Sequence, residues 1–298
     1  MPTQSRDVAR DLNRRSFLRR GAVATAAGSL AGHAVLRSPA TPAVPALPEA
    51  PSNELVRMLA DLDRALAKPR ERRRWIMVVD TRKCIGCNAC TVACRAENQV
   101  GPAGSYRRVL RIESGSGPWV AGTFKPANCM QCDNPPCAQA VPSGMIRKRP
   151  DRIVEFDYTR LKGQYAHAAA AACPYGAIHV EDGRNFTDAT PAVQEYEKRD
   201  FLEYGRMWRR SELVGVARKC HFCLHLLEAG SLPACVRTCI GAAMYFGDAA
   251  DPNSLVSELV SKNRVMRHKA ELGTAPRVYY VAEPFATTPQ AACNACHY

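Results

Sequence analysis

Leucines recur three and four positions apart at Leu55, Leu59, Leu62 and Leu66, a spacing that places them on one face of a helix. Asn53 stands where a helix cap belongs and Pro69 ends the run. The pattern therefore predicts one short amphipathic helix whose apolar stripe packs on the chain's own body. A basic run at residues 70–74 follows, and then Trp75-Ile76-Met77-Val78-Val79, an unbroken apolar stretch that predicts a strand. Near the other end, residues 251–269 read as a connection and one helix, and Arg277-Val278-Tyr279-Tyr280-Val281 as a short strand. The longest apolar run, residues 21–36, is rich in glycine and contains His33. It falls short of the roughly 20 residues a membrane-spanning helix needs, so no internal span is expected. The Pro-rich residues 38–51 predict an extended spacer.

The run at 21–36 follows directly on Asn13-Arg14-Arg15-Ser16-Phe17-Leu18-Arg19. Paired arginines, Phe-Leu and mild hydrophobicity resemble a twin-arginine export signal more than a mitochondrial-style presequence or a plain basic helix. That route moves folded proteins, which suits a chain whose cofactor is inserted before export. Small-residue cleavage sites end at Ala34 or Ala40. The expected location is the periplasm, in peripheral association with the cytoplasmic membrane.

Composition sharpens this picture through one residue type. The 298 residues include 14 cysteines, with 7% aromatics and a mean hydropathy of −0.26. The cysteines cluster at intervals of two and three residues, unlike the scattered pairs of a disulfide scaffold, so metal or cluster ligation leads.

The first group, Cys84-Ile85-Gly86-Cys87-Asn88-Ala89-Cys90-Thr91-Val92-Ala93-Cys94, has the C-x2-C-x2-C-x3-C spacing of bacterial ferredoxins. In that spacing three thiolates wrap one iron–sulfur cubane and the fourth, a helical turn on, reaches a neighbouring cluster, so a partner motif must exist. Zinc is the alternative, but zinc sites usually bring two separated pairs to one tetrahedral ion. The second group is Cys129-x2-Cys132-x4-Cys137, and the position where a fourth ligand is expected is Val141. The third ends in Cys173-Pro174-Tyr175-Gly176, while the positions that the spacing places upstream are Gly163, Ala166 and Ala169. The fourth is Cys220-x2-Cys223-x11-Cys235-x3-Cys239.

Together, residues 84–98, 129–137, 173–177 and 219–239 resemble the four-cluster iron–sulfur subunits of membrane-bound oxidoreductases, related to those of dimethyl sulfoxide, polysulfide, tetrathionate and nitrate reductases. The resemblance covers about residues 75–248. In that family the first and fourth motifs exchange their last cysteines, as do the second and third. Carried over, this implies one 4Fe-4S cluster on Cys84, Cys87, Cys90 and Cys239, a second on Cys94, Cys220, Cys223 and Cys235, and a third on Cys129, Cys132, Cys137 and Cys173. The fourth site would need Val141, Gly163, Ala166 and Ala169, so all its ligands are absent together. Random decay would have left a site half built; a clean deletion supports the pairing and leaves twelve ligands for three clusters. In better-known members the missing cluster lies on the side facing the membrane subunit, which puts the route to quinone in question.

The resemblance implies an α+β fold of two interleaved ferredoxin-like cluster-binding halves with a C-terminal extension. One half comprises about residues 75–125 plus 210–248, and the other is inserted at about 126–209. The expected domains are an export signal (1–36), a spacer with a short helix (37–74), the tandem ferredoxin-like unit (75–248) and the extension (249–298). Catalysis in the ordinary sense is not expected: the sequence offers no acid–base pair and no nucleophile elbow, and Gly115-Ser116-Gly117 lacks the following helix of a phosphate loop. His167, His179, His221 and His225 read as surface or supporting groups, with His221 placed to donate to a cluster sulfur. The formal charge of +13 falls to +9 without residues 1–36, which carry six arginines and two aspartates. Three oxidised cubanes at about −2 each bring it to roughly +3, so nucleic acid is not an expected partner. The basic runs at 70–74 and 147–149 read as solvated faces.

The last two cysteines form Cys293-Asn294-Ala295-Cys296-His297, a C-x-x-C-H box. In an exported protein it reads as a c-type haem attachment with His297 as the proximal ligand. A disulfide or an unmodified tail is the alternative. The export signal, the missing fourth cluster and Glu271-Leu272-Gly273-Thr274 before the last strand resemble the periplasmic iron–sulfur subunit of the membrane complex that accompanies dissimilatory sulfite reductase. The implied function is electron relay between an integral membrane quinone-reactive subunit and a redox partner in dissimilatory sulfur metabolism, where a multihaem cytochrome c is a plausible neighbour. The runner-up is the electron-transfer subunit of a molybdopterin enzyme reducing tetrathionate, polysulfide or a related oxyanion. A zinc-stabilised structural adaptor is the third class.

Overall fold

The computed structural model describes residues 53–114 and 121–281. The stretch expected to be an export signal, the Pro-rich residues 38–51, Gly115-Ser116-Gly117 and the box at Cys293, Cys296 and His297 lie outside these residues. Within them the helices are α1 (Glu54–Leu66), α2 (Ala89–Asn98), α3 (Pro136–Gln139), α4 (Gln164–Ala171), α5 (Glu195–Lys198), α6 (Leu224–Glu228), α7 (Ala234–Arg237) and α8 (Leu255–Lys262). The strands are β1 (Trp75–Asp80), β2 (Arg107–Ser114), β3 (Ala121–Asn128), β4 (Ile146–Lys148), β5 (Val154–Phe156), β6 (Ile178–Val180), β7 (Phe201–Glu203), β8 (Arg206–Trp208), β9 (Ala217–Lys219), β10 (Met244–Asp248), β11 (Val265–Arg267) and β12 (Val278–Val281).

The leucine stripe forms α1, and the Asn53 side chain accepts the Leu55 N–H at 3.1 Å as its cap. Leu62 is buried with Met58 and Ala65, and the other three leucines pack partly buried against the same core, over β10 and α8. Asp61 shares this buried face, where it accepts the Leu255 N–H at 2.7 Å and a hydrogen bond from Arg64 at 2.7 Å.

The apolar run at 75–79 becomes β1, in which every residue is buried. A strand covered on both faces is continuously apolar rather than alternating. Its neighbours come from far along the chain: β10 pairs antiparallel on one side (Trp75↔Asp248), and β12 pairs parallel on the other (Met77↔Val278), with β11 outside it. The sheet order β10-β1-β12-β11 thus draws residues 265–267 and 278–281 into the first ferredoxin-like half.

Small antiparallel pairs complete the α+β fold: β2–β3, β4–β5 and β7–β8 are hairpins, and β6 pairs with β9. A second apolar cluster sits under α4, where Val141, Ala166 and Ala169 are buried among Phe156, Tyr158 and Trp208. Three of the four positions without a cysteine are therefore filled with packed apolar side chains. Gly163 is exposed at the start of α4.

The basic run at 147–149 is paired throughout, with Arg147 exposed and Lys148 and Arg149 largely covered. Arg147 forms a fork with Glu155, Lys148 meets Asp133 at 2.6 Å, and Arg149 meets Asp151 at 3.1 Å. In the run at 70–74, Arg73 donates to the Leu66 and Lys68 carbonyls that end α1, so part of that run also serves the fold.

Candidate metal centres

Three quartets of cysteines face inward. In the first, Cys84 and Cys87 come from the loop entering α2, Cys90 from its first turn and Cys239 from the turn after α7, around a hollow that Val109, Pro126 and Met244 also line. The loop curls through left-handed backbone at Gly86 (φ 72°) and Asn88 (φ 58°). At Gly86 a Cβ would stand 2.6 Å from the Phe124 ring, so glycine is needed there for space as well as for conformation. The Gly86 N–H opposes the rise that burial imposes on the Cys84 thiol, and the Ala243 N–H points at Cys239 Sγ from 3.2 Å.

The second quartet is the most buried. Cys94, one helical turn after Cys90, meets Cys220, Cys223 and Cys235. Asn98 Nδ2 lies 3.7 Å from the sulfurs of both Cys94 and Cys223, and Asn128 Nδ2 lies 3.8 Å from Cys220. Left-handed backbone at Phe222 and Cys223 turns the Phe222 N–H onto Cys220 Sγ at 3.4 Å.

The third quartet, Cys129, Cys132, Cys137 and Cys173, lines a hollow with Pro135, Pro136, Pro174 and Tyr175. Gln131 ties it to the second: its amide donates to the Cys220 carbonyl at 2.6 Å and accepts the Val154 N–H at 2.8 Å. The segment 273–275 lies over this quartet. Thr274 bonds the Tyr175 hydroxyl, and the carbonyls of Gly273, Thr274 and Ala275 take hydrogen bonds from Asn134 and Asp133.

The donor set fits iron–sulfur cubanes. All twelve described cysteines are free of disulfides, and among the described residues no three His, Cys, Asp or Glu side chains converge closely enough to share a single ion. Burial pushes the thiols of Cys132 and Cys137 up to about 12 and that of Cys220 up to about 11, so as bare thiols these three would be neutral. Yet two buried cations face them. Arg107 is 1% exposed with its guanidinium against Cys235, and Lys219 is fully buried, its ammonium held by the Val154 and Cys220 carbonyls at 2.6 and 3.1 Å. Buried charges of one sign beside four-sulfur hollows match a group of net negative charge.

A separate buried network braces the second quartet. Arg218 binds Glu181 at 2.7 Å, Glu203 at 3.3 Å and the Asn98 carbonyl at 2.8 Å. Glu203, fully buried, also accepts from Tyr106 at 2.8 Å and lies 2.9 Å from His221 Nε2; His221 and Arg218 hold its carboxyl down to about 2 despite burial. This corrects the expectation for His221. Its Nδ1 accepts the Leu224 N–H at 2.9 Å and its Nε2 faces Glu203, so neither nitrogen serves a sulfur. His225 pairs with Glu97 at 2.8 Å, and His167 is exposed.

His179 is half-buried beside Tyr106, with neither ring nitrogen hydrogen-bonded, and burial together with Arg218 lowers it to about 3. The unfolded chain takes up this proton near pH 6.5 and the folded chain refuses it until about pH 3. The stability this difference contributes is complete above 6.5 and is lost as pH falls below it. Between pH 7.5 and 5.5 the loss should be about 1 kcal/mol. Denaturant midpoints of wild type and His179→Asn at the two pH values should differ by that amount in their pH dependence.

Sequence reasoning singles out all twelve of these cysteines but misses Arg107, Lys219 and Arg218 as buried cations. The available signal is position: Arg218 and Lys219 sit directly before a cysteine motif and follow an apolar stretch.

Ferredoxin-like loops that gather cysteines, seven of the twelve buried, into quartets define an iron–sulfur electron carrier. The 4Fe-4S dicluster domain family matches residues 120–200 and 193–249. The chain is 42% identical over 288 residues to a selenate reductase subunit of Mesobacillus selenatarsenatis, covering 91% of this chain and 98% of that one. It is 34% identical over 215 residues to a tetrathionate reductase subunit of Salmonella typhimurium (70% and 73% covered). It is 33% identical over 242 residues to the Hdr-like menaquinol oxidoreductase iron–sulfur subunit 1 of Archaeoglobus fulgidus (71% and 84%). The chain belongs to the family of iron–sulfur electron-transfer subunits of oxidoreductase complexes, whose role is electron transfer and not catalysis.

Proposed function

We propose that the chain carries three 4Fe-4S clusters, held by Cys84, Cys87, Cys90 and Cys239, by Cys94, Cys220, Cys223 and Cys235, and by Cys129, Cys132, Cys137 and Cys173. The observation that carries this reading is the contrast between three complete quartets and a fourth set of positions that holds no cysteine, three of them packed as apolar core. When bound, such a cluster takes up and passes on one electron at a time. Two contacts support a first-second-third order of the relay: Cys90 and Cys94 lie on successive turns of α2, so the first and second quartets are neighbours, and Gln131 joins the second to the third. Asn98, Asn128 and the backbone N–H groups direct donors at the sulfurs, which favours the reduced form.

In this reading the chain is exported by the twin-arginine route and works in the periplasm. It passes electrons from an integral membrane quinone-reactive subunit to a molybdopterin catalytic subunit that reduces an oxyanion. Relatives named for selenate and tetrathionate reduction support the oxyanion end. The relative named as a menaquinol oxidoreductase subunit supports the quinone end, and with it a second reading in dissimilatory sulfur metabolism beside a multihaem cytochrome c.

Iron and acid-labile sulfide on anaerobically purified protein test the proposal. About twelve of each per chain is expected. A thirteenth iron that stays covalently on the denatured chain would place a haem at Cys293, Cys296 and His297. A count near sixteen or near zero would overturn the three-centre assignment. Co-purification with a large molybdopterin subunit is expected, and a multihaem cytochrome in its place would favour the sulfur reading.

A further inference from the structure

Two buried arginines are treated in opposite ways. Arg218 lies between two carboxylates, the usual solution for a charge removed from water. Arg107, equally buried at the start of β2, has no carboxylate partner among the described residues. Its Nη2 lies 3.3 Å from Cys235 Sγ and 2.9 Å from Met77 Sδ, and its Nη1 is buried with no hydrogen-bond partner. The thiols facing it are Cys90 of the first quartet and Cys94, Cys220 and Cys235 of the second. A guanidinium does not lose its proton in proteins, so its countercharge must come from these sulfurs and from what they bind. The β2–β3 register sets Arg107 opposite Asn128, whose amide reaches Cys220, so one rung of the hairpin aims two polar groups at the same centre.

We propose that Arg107 is a positioning residue for electron transfer, the fixed counter-cation shared by the first and second centres, which holds the reduction potentials of both above the value their ligands alone would give. The inference rests on the three-centre reading. Each reduction adds one electron, supplied in that reading by a quinol through the membrane subunit, with no bond made or broken at the cluster. The added negative charge is therefore met by a cation already in place, in surroundings that screen it weakly. The buried cation that acts on Cys137 and Cys173 of the third centre is Lys219, so that centre should not sense Arg107.

The test uses the full chain, purified anaerobically, as Arg107→Met and Arg107→Lys. Iron is counted first and each centre is then titrated with EPR detection. Wild type with no iron would end the three-centre reading before any variant is considered. With about twelve irons retained, Arg107→Met should make reduction of two of the three centres at least tenfold less favourable, about 59 mV for a one-electron couple, and leave the third in place. Arg107→Lys should stay nearer wild type. Loss of iron from two centres in Arg107→Met, rescued in Arg107→Lys, also supports the role, since charge and not shape is then what the centres need. Unshifted midpoints in Arg107→Met, an equal shift of all three centres, or the same iron loss in both variants would overturn it.

Discussion

Replacing Cys173 with alanine is expected to remove one whole centre, lowering iron from about twelve to about eight per chain and abolishing one EPR signal, although Cys173 stands alone in its sequence motif. The structure places its thiol on the same hollow as Cys129, Cys132 and Cys137, 36 residues beyond Cys137 in sequence. Ala166→Cys is the matched control. It adds a thiol at a position where the family has a ligand, but its companions Val141 and Ala169 are packed side chains, so iron should stay at about twelve. Iron unchanged in Cys173→Ala, or altered in Ala166→Cys, would mean that the third centre has been misassigned.

Arg218→Met is expected to be the most destabilising single substitution outside the cysteines, at about 3–5 kcal/mol in anaerobic denaturant unfolding. Methionine fills much of the volume but removes the cation that Glu203 and Glu181, 0% and 1% exposed, share, leaving Glu203 with His221 and Glu181 with Arg210 at 3.9 Å. It also releases the Asn98 carbonyl from α2, whose side chain faces the sulfurs of Cys94 and Cys223, so the second centre should lose iron more readily than the others. Adding Glu203→Gln should recover part of the loss, because a neutral amide can keep the Tyr106 contact without an unpaired charge. No recovery would show that packing around Arg218, and not its charge, carries the effect.

The parts of the molecule legible in sequence are those governed by local rules. The α1 stripe and its Asn53 cap follow from helical spacing, and the ferredoxin spacing around Cys84 follows from how a short loop wraps a cubane. The apolar character of 75–79 predicts β1, but not that β10 and β12 flank it, since nothing in a strand names its partner. Asp61 interrupts the buried face of α1, and its role there depends on the Leu255 N–H, 194 residues away. The same holds for Arg107 and Arg218. A basic residue near an apolar stretch has two readings, and only the three-dimensional arrangement of sulfurs and carboxylates decides between them. His221 misleads for that reason: its neighbours in sequence are cysteines, but its neighbour in space is Glu203.

The β1 strand also bears on how the protein is made. The strand partners of Trp75 to Val79, at 244–248 and 278–281, are synthesised more than 160 residues after them. Cys84, Cys87 and Cys90 likewise wait for Cys239. Such long-range pairing makes folding slow and keeps an apolar strand exposed during synthesis, when it can pair with the wrong neighbour. A nascent chain therefore cannot finish its first centre piecemeal, and chains stalled before residue 278 lack the strand that covers the β12 side of β1. In the three-centre reading, assembly therefore waits on translation: the first centre can close only on a chain translated past Cys239.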